Sequence, residues 1–238
     1  MSVKRLSLDR FTLKAIAVAA MFVDHFAAMF LVGLTAGRFG WVYYVCRFIG
    51  RMTAPIMCFF LSEGFIHTSS RKRYIERMAL FALISQPFYT LAFYGTVFTF
   101  HFSMIFTLFV SLIMLLCWER IGNPVLRWLA VAACVIITIP SDWYVFAPIM
   151  VLGCYVMRDK GNLRLLVPGI VSLFLVVTQG LYSVWGAFMH LGMVVSVILL
   201  ALYNGGRGKS SEFSKWFFYV FYPAHLYLLW IVQVFLKG

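Results

Sequence analysis

The sequence predicts an all-α, polytopic integral membrane bundle of about nine transmembrane helices with a cytoplasmic N-terminus. Three observations predict it. Of the 238 residues, 63% are hydrophobic and only 12% charged, against roughly 45–50% and 25% in soluble domains, and the mean hydropathy is +0.92. The apolar runs follow one another closely, most of them near the roughly 20 residues a helix needs to cross the hydrocarbon. The basic residues cluster between those runs, which is how orientation is encoded in membranes. The net charge of +12 is therefore a topology signal, and the expected partner is a lipid bilayer, not nucleic acid.

The first run, 12–34, follows the basic start MSVKRLSLDRF. No small-residue cleavage site comes after it, so it reads as a permanent helix and not a signal peptide. The second, 42–66, carries Arg47 and Arg51 one turn apart, and Pro55, which is expected to kink it and free a carbonyl. The third and fourth are 76–95 and 100–118, with His101 opening the fourth. The fifth, sixth and seventh (125–140, 143–157 and 163–179) are short, so that one pair reads as re-entrant or strongly buried; Asp142 stands at the outer end of the sixth. The eighth, 184–203, holds His190, and the ninth, 215–236, holds Tyr222, Pro223 and His225 near its middle.

Lys4, Arg5, Arg10 and Lys14 precede the first run, and Arg71, Lys72, Arg73 and Arg77 follow the second. Arg120 and Arg127, then Arg158, Lys160 and Arg164, then Arg207, Lys209 and Lys215 mark every second loop thereafter. The alternate loops carry almost nothing basic except Arg38. That alternation puts the N-terminus in the cytoplasm and, with nine spans, the C-terminus outside. The stretch YNGGRGKSSEFSK, 203–215, is expected to be a flexible loop. No internal repeat stands out, and residues 1–238 read as one domain. The five cysteines lie mostly in apolar stretches without CxxC spacing, so they read as small buried hydrophobes, and neither a disulfide nor a metal site is expected.

The chemistry lies in the exceptions to apolarity. Asp24 and His25 stand side by side in the first run, where an ionisable group costs on the order of 2.5–3.5 kcal/mol. Lys14 and His25 are eleven residues apart, which leaves about 20° between them around a helix and separates them by roughly 16 Å along it. That distance matches an extended pantetheine arm, with phosphates at Lys14 and a thioester beside His25. Asp24 points about 100° away from His25, so its partner is sought on a neighbouring helix, where Arg47 and Arg51 both need anions. A single buried histidine is ordinarily satisfied by a backbone carbonyl, and His101 and His190 fit packing or interfacial roles. Tyr222 and His225, flanking a turn loosened by Pro223, point more to function.

Three blocks, LKAIAVAAMFVDH (13–25), IGRMTAPIMCFFLSEGFIHT (49–68) and FFYVFYPAHLYLL (217–229), resemble in order the signature blocks of the TraX family. That family is named for the conjugative-plasmid protein that N-acetylates pilin subunits. The spacing of Lys14 and His25 also resembles the Arg/Lys-x10-His motif of the membrane acyltransferase type 3 families. The resemblance implies acetyl-CoA as donor, with His25 as catalytic base and Lys14 on the coenzyme, and it makes Arg51, Glu63 and His225 signature positions. With it, Asp24, Arg51, Tyr222 and His225 are expected beside His25 at the reaction. Glu63, Arg71, Arg73 and Arg77 are expected at the coenzyme, and Arg47, His101, Ser103 and His190 at the acceptor. The chain departs from the family where an Asn-containing block should open the fourth span and HFSMIFT stands instead, so that His101 or Ser103 takes the place of that amide.

The leading expectation is thus an acetyltransferase of the bacterial cytoplasmic membrane, acting on an acceptor at the outer face. Pilin N-terminus, glycan hydroxyl and lipid head group remain open as acceptors. The alternative is a proton-coupled transporter or flippase with an Asp24–His25–Arg51 relay, although no two matching halves with broken helices are visible. A haem carrier would need paired axial histidines, and no two lie on one helix at that spacing.

Overall fold

The computed structural model describes residues 7–209 and 212–237, which form ten α-helices and no strand element. They are α1 (Arg10–Phe26), α2 (Gly40–Arg51), α3 (Thr53–His67), α4 (Arg71–Tyr94), α5 (Met104–Arg120), α6 (Pro124–Ile137), α7 (Phe146–Val156), α8 (Leu166–Gly180), α9 (Val184–Ala201) and α10 (Glu212–Lys237). Five stretches among the described residues are long and apolar enough to cross a membrane: Arg10–Leu34, Gly40–His67, Arg158–Gly180, Val184–Ala201 and Trp216–Leu236. The protein is a helical membrane protein. Every apolar run read from the sequence contains a helix. The short ones stay short: α6 has 14 residues and α7 has 11, roughly 21 and 16 Å at 1.5 Å per residue.

Two runs expected as single helices are interrupted. The first winds as α-helix only to Phe26; Ala27–Leu31 is π-helical and Val32–Leu34 is a 3₁₀ turn. The second breaks at Met52, between α2 and α3. Pro55 explains the position, since its ring lacks the N–H that would bond the Arg51 carbonyl and crowds that carbonyl as well. The Thr53 hydroxyl, just past the break, donates to the Ala17 carbonyl at 3.0 Å. Pro223, by contrast, sits inside an uninterrupted α10.

The chain divides into two compact units, each assembled from separated segments: 1–57 with 168–218, and 58–167 with 219–238. In the first, α1 packs on α2 and α2 on α9, through close backbone approaches. A Cβ on Gly50 would meet Asp24 Oδ1 at 2.0 Å, and one on Gly192 would meet the Phe48 carbonyl oxygen at 1.9 Å. Small residues at such crossings let membrane helices approach closely. Stacked rings flank the second crossing, Phe48 on Phe188 at 5.2 Å and Tyr44 on Trp185 at 4.6 Å.

The segment before α1 is clasped to the segment after α9. Leu8 N–H donates to the Leu202 carbonyl at 2.9 Å, Asn204 N–H to Leu8 at 3.0 Å, and Arg10 N–H to Gly206 at 2.9 Å. The first part of the loop expected to be flexible is thereby hydrogen-bonded; residues 210–211 lie outside the described residues. In the second unit α5 is central, packing on α4, α6 and α7 with Leu112, Met114 and Leu115 fully buried.

Candidate functional site

In the first unit the geometry centres on the α1–α2 crossing. Arg47 Nη1 donates to Asp24 Oδ2 at 2.7 Å, and both side chains are only 15% exposed. The expectation that Asp24 pairs with an arginine from the second run holds, and Arg47 is that arginine. Arg51, one turn on, acts electrostatically on the same carboxylate. Arg47 was expected at the acceptor; its guanidinium is committed to Asp24. Gly50, between the two arginines, leaves the room that Asp24 fills.

His25 is half-buried and lies at the end of the regular part of α1, directly before the π-helical stretch. Such stretches frequently mark functional sites. Lys14 sits on the same uninterrupted helix, so the roughly 16 Å axial separation read from the sequence applies. Its ammonium lies 5.2 Å from the centre of the Phe218 ring.

His190 is buried in α9, and its Nδ1 lies 2.8 Å from the Gly186 carbonyl oxygen. A carbonyl only accepts, so that nitrogen carries the proton and the neutral ring keeps its lone pair on Nε2. The charges of Arg51 and Arg47 act on this ring. Sequence reasoning placed His190 at the acceptor with Arg47, His101 and Ser103; the fold sets it in the field of Arg47 and Arg51.

The other expected residues belong to the second unit. Glu63 is 6% exposed; it accepts from Arg164 Nη1 at 2.6 Å and lies 3.7 Å from His67 Nε2. Arg164 also lies over Phe59, 4.4 Å from the ring centre. Arg71 pairs with Glu119, which also accepts from the Tyr155 hydroxyl. Arg73 is exposed and its N–H bonds the Ser70 cap of α4 at 3.3 Å. Arg77 contacts Tyr219. The buried Tyr222 hydroxyl lies beside Ser103 and the Met104 backbone. His225 repeats the His190 arrangement, with Nδ1 2.7 Å from the Phe221 carbonyl oxygen.

His101 is exposed and stacks on Tyr94 at 4.8 Å. A side chain of α4 bonds the backbone at the opening of the fourth span. Gln86 Nε2 donates to the His101 carbonyl at 2.7 Å, and Gln86 Oε1 accepts from Ser103 N–H at 3.1 Å. Sequence reasoning missed Gln86, and it missed Tyr89, whose hydroxyl donates to Asp142 at 3.0 Å. It missed Glu119 and weighed Arg164 only for topology. The signal for Gln86 was a lone amide before Pro87 in an apolar run; Tyr89, one aromatic among many, offered none.

No solved structure matches the chain. It is 30% identical, over 98% of its length and 99% of the relative's, to a protein described as probable fimbrial assembly protein FimC, serogroup H1, of Dichelobacter nodosus. The family model described as TraX protein matches residues 9–233. The chain belongs to the TraX family.

Proposed function

We propose that this protein is an acetyltransferase of the bacterial cytoplasmic membrane that takes acetyl from cytoplasmic acetyl-CoA and places it on the N-terminal amine of a pilin subunit at the outer face. The chain crosses the membrane nine times in this reading, with the N-terminus inside, so that Lys14 meets a phosphate of the coenzyme. Membership of the TraX family and a relative named for fimbrial assembly support the pilin context. The observation that carries the site is the 2.7 Å Arg47–Asp24 pair. It compensates the acid and braces α1 at the residue before His25.

His25 acts as general base. It removes a proton from the acceptor amine as the nitrogen attacks the thioester carbonyl carbon. The tetrahedral oxyanion needs a positive group, for which Arg51 serves. Collapse breaks the C–S bond, and the sulfur takes the proton held by His25 and leaves as coenzyme A thiol. Acetylated product measured by mass spectrometry from membranes with equal protein levels tests the reading. His25→Ala abolishes product while the protein still folds and binds acetyl-CoA. Substantial product from that variant would remove His25 from the mechanism and put the Asp24–His25–Arg51 transporter relay ahead. Tyr222→Phe and His225→Ala, assayed alike, test the roles expected of those two residues beside His25.

A further inference from the structure

The second unit combines long helices with short ones. In it α4 has 24 residues and α10 has 26, roughly 36 and 39 Å at 1.5 Å per residue. By contrast α5 has 17 and α6 has 14, roughly 25 and 21 Å. Ordinary hydrocarbon is about 30 Å thick. A helix longer than that can tilt until it fits, whereas a shorter one leaves the bilayer to adjust.

The exposed face of α6 is apolar between two polar layers. Its buried face turns Val131 and Cys134 against Val110 and Met114 of α5. Its other face presents Val125, Leu129, Ile136 and Ile137, each more than half exposed, and no charged residue stands between Arg127 and Asp142. The first polar layer closes the start of the helix. Asn123 Oδ1 accepts from the Val125 and Leu126 N–H groups at 2.9 and 3.2 Å, and Arg127 Nε donates to the Ile121 carbonyl at 2.9 Å. The Arg127 guanidinium lies 5.2 Å from the centre of the Trp118 ring, and Trp118 meets Trp128 edge-on at 5.1 Å. Tryptophans and basic residues of this kind collect where membrane meets water.

The second polar layer closes the far end, and hydrogen bonds fix its level. Phe102 N–H donates to the Pro140 carbonyl at 2.8 Å, and Asp142 N–H donates to the Phe102 carbonyl at 2.9 Å. The Asp142 carbonyl accepts from the Thr107 hydroxyl at 2.7 Å, and its Oδ1 accepts from the Tyr89 hydroxyl at 3.0 Å. The entry of α5 is thereby tied to the exit of α6, while the link 121–123 joins their other ends. Neither helix can slide along the other to lengthen the apolar band.

We propose that α5 and α6 form a lipid-facing surface fitted to a thinned bilayer, with hydrocarbon of about 21–25 Å in place of about 30 Å. Acyl chains cover the exposed face of α6, and head groups meet the Arg127 layer at one end and the Asp142 layer at the other. Hydrocarbon of full thickness would draw one of these layers out of water, which is costly for charged groups. Along these two helices the aqueous faces therefore approach each other by roughly 5–9 Å. The proposal rests on the crossing of α6 in the nine-span reading and is independent of acetyl transfer.

The test uses the full chain in nanodiscs of phosphatidylglycerol with 18-carbon chains. A spin label is attached at Ala132→Cys, near the middle of α6, or at Leu228→Cys, near the middle of α10; both positions are exposed. The labelled unsubstituted chain gives the background. Depth is read from the relative access of oxygen and of a water-soluble nickel chelate to the label. The label on α6 should lie about 10–12 Å below the head groups and the label on α10 about 15 Å. In discs of 14-carbon chains, thin throughout, the two depths should converge. A label on α6 as deep as about 15 Å in the 18-carbon discs overturns the proposal. Tyr144→Cys separates that failure from a failure of the topology. A membrane-impermeant maleimide should reach it from outside in intact spheroplasts. If it reacts only after lysis, α6 does not cross, and the proposal falls together with the nine-span reading. If it reacts from outside while Ala132→Cys lies deep, the proposal alone falls.

Discussion

The commitment of Arg47 to Asp24 decides how single residues respond to change. Asp24→Asn removes the counter-charge and leaves a guanidinium 15% exposed beside a neutral amide. Breaking one side of a buried pair costs about 3–5 kcal/mol, and the residual exposure puts this pair at or below the low end. Thermal unfolding in detergent is expected to show Asp24→Asn and Arg47→Met each destabilised, with the double variant better than the sum of the two. Additive losses would mean that the pair is not coupled. The sequence made this pairing legible because two buried arginines and one buried acid leave few choices. It did not choose Arg47 over Arg51, since one helical turn separates them and the register of α1 on α2 depends on Gly50. The roles of Tyr89 and Gln86 were illegible because tyrosines and amides are ordinary at membrane interfaces, and only three-dimensional proximity to Asp142, His101 and Ser103 distinguishes these two.

At the scale of elements, helix existence was legible throughout and helix continuity was not. Pro55 was read as a kink, and the break falls three residues before it, where its missing N–H acts. The π-helical stretch after His25 has no comparable signal in AAMFL. The α2–α9 crossing predicts a sharp contrast between two glycines. Gly192→Ala would drive a Cβ to 1.9 Å from the Phe48 carbonyl oxygen, whereas the nearest atom to a Cβ at Gly169 is 4.0 Å away. Overpacking of that kind costs about 1–3 kcal/mol, so Gly192→Ala should unfold at lower temperature while Gly169→Ala unfolds near wild type. Equal behaviour would argue against the tight crossing. At the start of α1, Asp9 caps the helix by accepting from Thr12 N–H at 2.7 Å. The bonds to Thr12 hold its carboxyl below the ordinary value of 3.8. A group depressed on folding stabilises fully above its unfolded pKa and loses that contribution as pH falls through the folded value. The cap should therefore be intact at neutral pH and weaken only below about pH 4. Asp9→Asn, which still caps, should remove this acid dependence in a pH series of α1 stability.

For the whole molecule, the alternation of basic and neutral loops makes a prediction independent of any chemistry. Reporter fusions after residues 70, 122, 160 and 209 should report the cytoplasm, and a fusion after 238 should not. A cytoplasmic signal at 238 would mean an even number of crossings and would put one of the short helices α6 and α7 out of the spanning set. Composition made the membrane class legible at once, because burying so little charge and so much apolar surface has no soluble solution. The division into two units was not legible. The first combines segments about 110 residues apart and the second segments about 50 apart, and no linker, repeat or change of composition separates them.

The clasp between residues 8–10 and 202–206 sets an order of assembly during synthesis. Asp24 meets its arginine only 23 residues later in the chain, so the acid is compensated early in insertion. The partners of Leu8 and Arg10, Leu202 and Gly206, emerge about 190 residues after them, roughly 10–40 s later at ordinary translation speeds. Until then the front of α1, including the turn that carries Lys14, lacks its last hydrogen bonds. About 190 residues of further synthesis separate this helix from the segment that holds it.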